Sequence, residues 1–213
     1  MSLDSPEPAE ELLNVYDAEA RVVGARPRRA AKASGLAVGA VNALLFDGRG
    51  QVLLQRRPRG KENGERWDKS VGGHVSAGEE FDTTLVREAG EELFDDGRSP
   101  LVHLAGSEEA FASRLRTVDL SREVLLRRVA FQKSLRDVRR GPDGTVRNVL
   151  YHVAVYAGRT DVPVAGFRPP PSEIDELAYF PVREVDRMLL EGRLAPNMAF
   201  LWLTRAHGLV AQG

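Results

Sequence analysis

The chain has 213 residues, of which 42% are hydrophobic and 29% are charged, an ordinary composition for a folded protein of one domain. Its formal net charge of −1 provides no overall field that would attract nucleic acid or an acidic membrane surface. The chain has no cysteine, which excludes disulfides, thiolate metal sites, iron–sulfur clusters and a cysteine nucleophile.

The first segment, residues 1–11, is acidic and contains Pro6 and Pro8, so we expect a flexible tail. It has neither the basic start nor the apolar run of a signal peptide. No stretch of the sequence approaches the roughly 18 uninterrupted apolar residues of a membrane span. We therefore expect a cytoplasmic protein without a membrane partner, in which residues 12–213 form a single domain.

Strands dominate the first part of this domain. Alternating apolar residues predict a hairpin over residues 12–23. The nearly continuous apolar run Ala37–Phe46 predicts a strand buried on both faces. A turn at residues 47–50 leads to a return strand over residues 51–56, and a polar loop is expected over residues 58–69.

The clearest helix signal covers residues 79–94. Four apolar residues recur at every fourth position and form one stripe: Phe81, Leu85, Ala89 and Leu93. The pattern is weaker after this helix. It predicts a short helix over residues 107–115, strands over residues 124–138, 146–156 and 177–180, and helices that begin at Pro181 and Pro196. Strands on both sides of a central helix indicate a mixed α/β layered domain.

Three carboxylates lie on one face of the central helix. Glu88, Glu91 and Glu92 stand at positions i, i+3 and i+4, which adjoin on a helix surface. Like charges at this spacing cost a few tenths of a kcal/mol per pair, about 0.2–0.5, even when they are exposed. A divalent cation would remove this penalty, and carboxylate oxygens suit Mg²⁺ or Mn²⁺. The alternative is a solvated acidic surface.

The spacing of residues over the longer stretch 73–92 resembles a known motif. Six residues carry the resemblance: Gly73, Glu79, Arg87, Glu88, Glu91 and Glu92. They match the Nudix box, G-x5-E-x7-R-E-U-x-E-E-x-G-U, where U is a bulky apolar residue. The late glycine and the closing apolar residue of the box fall on Phe94 and Asp95. Since the next glycine is Gly97, we expect the helix to run further before this glycine caps it.

The resemblance extends beyond the box to one branch of the Nudix family. The residues 14–24, 53–57, 67–68 and 70–74 resemble isopentenyl diphosphate isomerase and its hydrolase-like relatives. The catalytic cysteine of the isomerases falls on Gly72. The isomerase reaction is therefore disfavoured, and the resemblance points to a hydrolase on the same scaffold.

The resemblance implies a Nudix-like α/β/α sandwich, with a mixed sheet and a central helix that bears the carboxylates. It also implies metal-dependent hydrolysis of the diphosphate bond in a nucleoside diphosphate linked to another group. The expected partner is this small molecule and the expected cofactor is Mg²⁺ or Mn²⁺. A nucleic-acid partner is not expected, and pairing into a homodimer is left open.

The resemblance also implies roles for individual residues. The metal ligands would be Glu88, Glu91, Glu92 and the backbone carbonyl of Gly72. Catalysis would involve Glu88, Glu92, Arg87 and Glu79, with Arg87 and Glu79 paired to orient the loop and the carboxylates. The general base would be Glu88 or a carboxylate on a distant loop, Glu173 or Glu176. Substrate contacts are expected from Gly73, Arg56, Arg57 and Glu176.

The segment at about residues 98–147 is rich in arginine and resembles the variable inserts that set substrate choice in this family. A solvated hairpin or a dimer contact is an equal alternative. Two other functions stay open: a catalytically silent nucleotide-binding or regulatory module, and an RNA-end pyrophosphohydrolase that uses the arginines. The box carboxylates, none of which is missing, favour the hydrolase.

Overall fold

A computed structural model describes residues 10–140 and 146–206, so most of the predicted tail and residues 141–145 of the arginine-rich segment lie outside the described residues. In these two ranges the strands are β1 Leu12–Tyr16, β2 Val22–Pro27, β3 Ala37–Phe46, β4 Val52–Arg56, β5 Trp67–Asp68, β6 Val71–His74, β7 Val102–Ala105, β8 Val124–Arg140, β9 Val146–Arg159 and β10 Glu176–Phe180. The helices are α1 Arg28–Ala33, α2 Phe81–Phe94, α3 Glu108–Arg114, α4 Val182–Leu190 and α5 Pro196–Leu201, which continues as a π-helical turn, Trp202–Ala206.

The strands form one mixed sheet in the order β10-β4-β3-β9-β8-β7. Two of its pairs are parallel, β3 with β9 and β7 with β8, and the other neighbours are antiparallel. Strand β3 changes partner along its length. It pairs with β6 from Ala40 to Ala43 and with β4 at Leu45 and Phe46. This fork brings the glycines of β6 next to the central strand.

Helices cover both faces of the sheet, which confirms the predicted α/β/α sandwich. On one face lies α2, whose predicted apolar stripe is buried: Phe81, Leu85, Ala89 and Leu93. On the other face α4 and α5 bury Val185, Met188 and Met198 against the sheet. None of the helices in the described ranges is both long and apolar enough to cross a membrane.

The structure places three strands where the sequence pattern was weak. Strand β5 lies inside the stretch predicted as a polar loop, residues 58–69, and β6 follows that stretch. The two strands are only two and four residues long, too short for a clear alternation. The arginine-rich segment supplies β7, α3 and β8, so the described part of it belongs to the central sheet. Leu125 and Leu126 at the start of β8 are fully buried. Residues 98–140 are therefore part of the fold and not an appendage to it.

The end of α2 differs from the expectation that the helix runs on to a cap at Gly97, which is wrong. The helix ends at Phe94, and Asp95 has the left-handed conformation, with φ of 55°. The N–H groups of Asp95 and Asp96 both donate to the carbonyl of Gly90. Gly97 instead lies against the helix, where an added Cβ would be 2.8 Å from Glu91 Oε1.

Candidate functional site

The acidic face of α2 opens into a cavity of about 660 Å³. Glu88, Glu91 and Glu92 line it from the helix, and Gly72 and Gly73 line it from β6. The apolar stripe of α2 packs on the sheet and fixes the orientation of the helix. The three carboxylates lie beside this stripe on the helix surface and therefore come to lie at the edge of β6. The sequence-predicted helix face and glycine pair therefore meet in one site.

Glu92 lines the cavity and is hydrogen-bonded to the backbone of β6. Its Oε2 accepts the N–H of Gly72 at 3.0 Å and the side-chain amide of Gln55 at 3.3 Å. Burial and the neighbouring Glu88 raise the pKa of Glu92 to about 8. At neutral pH, without a cation, this carboxyl group is therefore largely protonated.

Glu88 lies against the second glycine of β6. A Cβ added to Gly73 would be 2.0 Å from Glu88 Oε1, so only glycine leaves room for the carboxylate. The side chain of Glu88 is 14% exposed. Burial and the charge of Glu91 raise its pKa to about 7, although Arg87 acts in the opposite direction.

Arg87 holds the acidic residues together. Its Nε and Nη2 donate to the two oxygens of Glu79 at 2.9 and 3.1 Å, as the resemblance implied. It also donates to Glu88 at 3.0 Å and to Glu91 at 2.9 Å. Burial alone would raise the pKa of Glu79, but hydrogen bonds from Arg87 and Thr84 outweigh it, and the pKa is lowered. Glu79 is therefore a charged anchor for Arg87 and does not line the cavity.

The donors of this site fit a hard divalent cation. Two buried carboxylates repel each other, and a cation between them would offset both the repulsion and the cost of burial. Within residues 10–140 and 146–206, however, no three His, Asp or Glu side chains are arranged to hold an ion as they stand. Glu91 is 47% exposed and turned to Arg87, so a metal would have to draw this side chain away.

The structure places only some of the residues predicted to contact substrate in the cavity. Gly73 and Arg57 line the cavity, whereas Arg56 and Glu176 do not. Arg56 Nη2 instead pairs with Glu176 Oε2 at 3.1 Å and with Asp175 Oδ2 at 2.7 Å. The reason is register: Arg56 and Glu176 are directly opposed partners of β4 and β10.

The two distant candidates for the general base also differ in whether they line the cavity. Glu173 lines the cavity, and its Oε1 accepts from Lys61 Nζ at 2.6 Å. Glu176 stays with Arg56 on the β4–β10 edge. Of this pair only Glu173 is placed to face a bound substrate.

Sequence reasoning missed three side chains that shape the site. Gln55 contacts Glu92, and Lys69 lines the cavity beside Gly72. Asn14 in β1 accepts from the N–H of Gly78 and donates to the carbonyl of Glu79, so the N-terminal hairpin holds the loop before α2. A signal existed for Lys69, because it is one of only four lysines and stands between two matched motifs.

Another part of the cavity lining has a different chemistry. It combines apolar and aromatic side chains with amides and lies over β3, β9 and the C-terminal helix α5. Its members include Asn42, Tyr151, Val153, Asn197 and Phe200. Amides beside an aromatic surface suit an organic group that carries hydrogen-bond donors and acceptors. The cavity can thus take a molecule larger than a diphosphate.

Comparison with protein families agrees with this geometry. Residues 37–201 match the family model described as the NUDIX domain, which is well over half of the chain. The match includes β3, the glycines of β6, the whole of α2 and the cavity wall as far as α5.

Curated relatives match the chain over a shorter range. An uncharacterized Nudix hydrolase of Streptomyces coelicolor is 40% identical over 90 residues, 42% of this chain and 50% of that protein. A second, from Pseudomonas aeruginosa, is 36% identical over 84 residues, 39% of this chain and 50% of that protein. The matched part of this chain thus spans about half the length of these relatives.

Among solved structures, the protein DR0079 of Deinococcus radiodurans superposes with a TM-score of 0.61. It is 23% identical, and the match covers 90% of this chain and 97% of that one. At this identity the likeness concerns the fold, and it agrees with the mixed sheet and flanking helices described above.

Proposed function

The chain belongs to the Nudix family, and on that premise we propose that its carboxylate-lined cavity hydrolyses a diphosphate bond. The substrate is a nucleoside diphosphate linked to another group, and the reaction depends on Mg²⁺ or Mn²⁺. The observation that carries the proposal is the packing of Glu88 and Glu92 against the backbone of Gly72 and Gly73 inside one cavity.

Glu88, Glu92 and Glu91 would hold the cation, and we keep the carbonyl of Gly72 as a further ligand. When bound, the ion supplies positive charge that polarises a phosphate oxygen and lowers the pKa of an attacking water. The other contributions come from the protein. Arg87 fixes the side chains of Glu88 and Glu91, and Glu79 fixes Arg87 in turn. The two glycines leave room for the side chains of Lys69 and Glu88 to pack against the backbone of β6.

We assign the general base to Glu88, with Glu173 as the alternative. Both side chains line the cavity, and Glu88 also packs against the backbone of Gly73. Arg57 and Gly73 are proposed substrate contacts. Arg56 and Glu176 contact each other, so we propose that they stabilise the β4–β10 edge beside the site.

An isomerase reaction is not supported by the contents of the cavity. A Cβ at Gly72, where the isomerases carry cysteine, would be 2.0 Å from Lys69 Cε. A thiol at this position would therefore require Lys69 to move.

A hydrolysis assay tests the proposal. Wild-type protein is mixed with a panel of nucleoside diphosphate derivatives and Mg²⁺ or Mn²⁺, and the nucleoside monophosphate released is measured. Glu92→Gln should lower kcat/KM at least a hundredfold, whereas Glu184→Gln, a change of equal charge on the surface of α4, should not. Full turnover by Glu92→Gln at saturating Mg²⁺ would contradict the metal assignment. Tight nucleotide binding without turnover would favour a binding module.

Three further expectations remain proposals. We propose that the chain belongs to the branch that resembles isopentenyl diphosphate isomerase, on the resemblance of residues 14–24, 53–57, 67–68 and 70–74. A cytoplasmic location stays a proposal from the sequence, which cell fractionation would test. Homodimer formation can be measured by light scattering.

A further inference from the structure

Lys69 is a nearly buried lysine at the centre of the site. It lies between β5 and β6, lines the cavity, and has a side chain that is only 10% exposed. Its aliphatic chain crosses directly over Gly72, where an added Cβ would be 2.0 Å from Lys69 Cε and 2.9 Å from Nζ. The ammonium group is thus held beside the backbone to which Glu92 is hydrogen-bonded.

The ammonium belongs to an ion-pair group of one carboxylate and two cations, and its charge also acts on Glu92. Asp68 is 5% exposed and pairs with both Arg57, at 3.1 Å, and Lys69, at 3.2 Å. Burial alone would raise the pKa of Asp68, but the two cations outweigh it and the pKa is lowered. One charged carboxylate therefore faces two cations, and all three side chains line the cavity.

Stabilisation of the fold is a weak reason for this arrangement. Taking an ammonium out of water costs free energy, and a buried ion pair often gives no net stability over apolar residues of similar volume. Asp68 already has Arg57 as a partner. An ammonium has three donors, and among the described residues its side-chain hydrogen bonds go to Asp68 alone.

We propose that Lys69 is a substrate-binding residue whose ammonium donates to a non-bridging oxygen of the diphosphate beside Gly72. The inference rests on the proposed function, since it names a contact within the same site. A diphosphate that approaches Glu88 and Glu92 meets two carboxylates, and Lys69 places a positive charge next to them. Lys69 thus offsets their repulsion of the substrate, and the missing side chain of Gly72 leaves the space that the Lys69 chain occupies.

Binding measurements separate this role from a structural one. The probe is methylenediphosphonate, whose bridging carbon resists hydrolysis, titrated by calorimetry at saturating Mg²⁺. Lys69→Met and Lys69→Gln should weaken its binding about tenfold or more, the usual effect of losing a charged hydrogen bond. Lys69→Gln keeps an N–H for Asp68 and is measured in case Lys69→Met does not fold. Lys133→Met is the matched control, because Lys133 is exposed and contacts the carbonyl of Glu19.

Mn²⁺ binding, followed by electron paramagnetic resonance, supplies the second measurement. Loss of a cation near Glu92 should leave Mn²⁺ affinity unchanged or tighter, whereas the diphosphonate binds more weakly. Equal weakening of both, or an unchanged diphosphonate Kd, would overturn the role of Lys69. A wild-type protein that neither binds the diphosphonate nor hydrolyses the panel would overturn the proposed function itself.

Discussion

Two adjacent glycines set how closely the backbone approaches the acidic face of α2. Lys69 fills the space above Gly72, and Glu88 fills the space above Gly73. Both positions are glycine because of this packing and not because of a special backbone conformation, since neither has a positive φ. The site is thus sensitive to a single added methyl group.

Gly73→Ala should displace Glu88, because the new Cβ would be 2.0 Å from its Oε1. A misplacement of about 1 Å can cost about a hundredfold in rate, so we expect kcat/KM to fall about a hundredfold. Steady-state assays of Gly73→Ala and Gly106→Ala form the comparison. Gly106 has open space around its Cα, and its replacement should leave activity unchanged. Full activity of Gly73→Ala would contradict the position of Glu88.

The sequence predicted the main acidic residues but not all of their surroundings. The spacing of Glu88, Glu92 and Arg87 follows helix geometry, which a motif records directly. The pairing of Arg56 with Glu176 depends on the register of β4 and β10, which are joined through distant residues and have no local signal. The contact of Lys69 with Gly72 depends on how β5 leads into β6, and two such short strands leave no pattern to read.

At the scale of elements, α2 shows both what the sequence could predict and what it could not. Its apolar stripe predicted the buried face correctly. Its C-terminus was not predicted, because Asp95 adopts a left-handed conformation that sequence rules assign to glycine. The resulting turn back over Gly90 leaves no room there for a side chain, since a Cβ would be 2.1 Å from the carbonyl of Asp96.

Asp95→Gly should stabilise the protein. A residue with a Cβ loses roughly 1–2 kcal/mol in the left-handed region, and glycine removes this loss at some cost in unfolded-chain entropy. We expect the free energy of unfolding to rise by about 0.5–1 kcal/mol, measured by urea denaturation. Asp95→Ala keeps the Cβ and should give no such gain. A fall in stability for Asp95→Gly would mean that the Asp95 side chain has a stabilising role.

At the scale of the whole molecule, the sandwich could be predicted and the strand order could not. Runs such as Ala37–Phe46 identify a buried central strand. The parallel pairing of β3 with β9 joins segments about a hundred residues apart, and local patterns do not specify such pairs. This pairing, and that of β8 with β9, makes the arginine-rich segment part of the sheet.

The buried carboxyl groups should make global stability depend on pH and on metal. The pKa of Glu92 rises to about 8 from an ordinary value of 4.5, so the folded state binds its proton more tightly than the unfolded state. Stability from this group is present below the unfolded pKa and is lost as pH rises through about 8. In EDTA, the melting temperature should therefore fall between about pH 5 and pH 8, where the unfolded state loses this proton and the folded state keeps it.

Two comparisons, with the variant Glu92→Gln and with saturating Mg²⁺, distinguish the effect of Glu92 on the melting temperature from the effects of other titrating groups. Glu92→Gln should reduce the decrease in melting temperature, because it removes one of the two carboxyl groups whose pKa is raised. Saturating Mg²⁺ should also flatten it, since a cation stabilises the ionised carboxylates. An equal decrease in the wild type and in Glu92→Gln would show that Glu92 is not the group responsible.

The most direct test of the metal site is diffraction from crystals soaked in Mn²⁺ and methylenediphosphonate. The structure predicts an anomalous peak within about 2.2 Å of carboxylate oxygens from both Glu88 and Glu92, with the diphosphonate bound to the same ion. Crystals of Glu92→Gln should lose the peak or most of its height. An ion bound only elsewhere, or a diphosphonate that leaves Glu88 and Glu92 without a metal, would contradict the account.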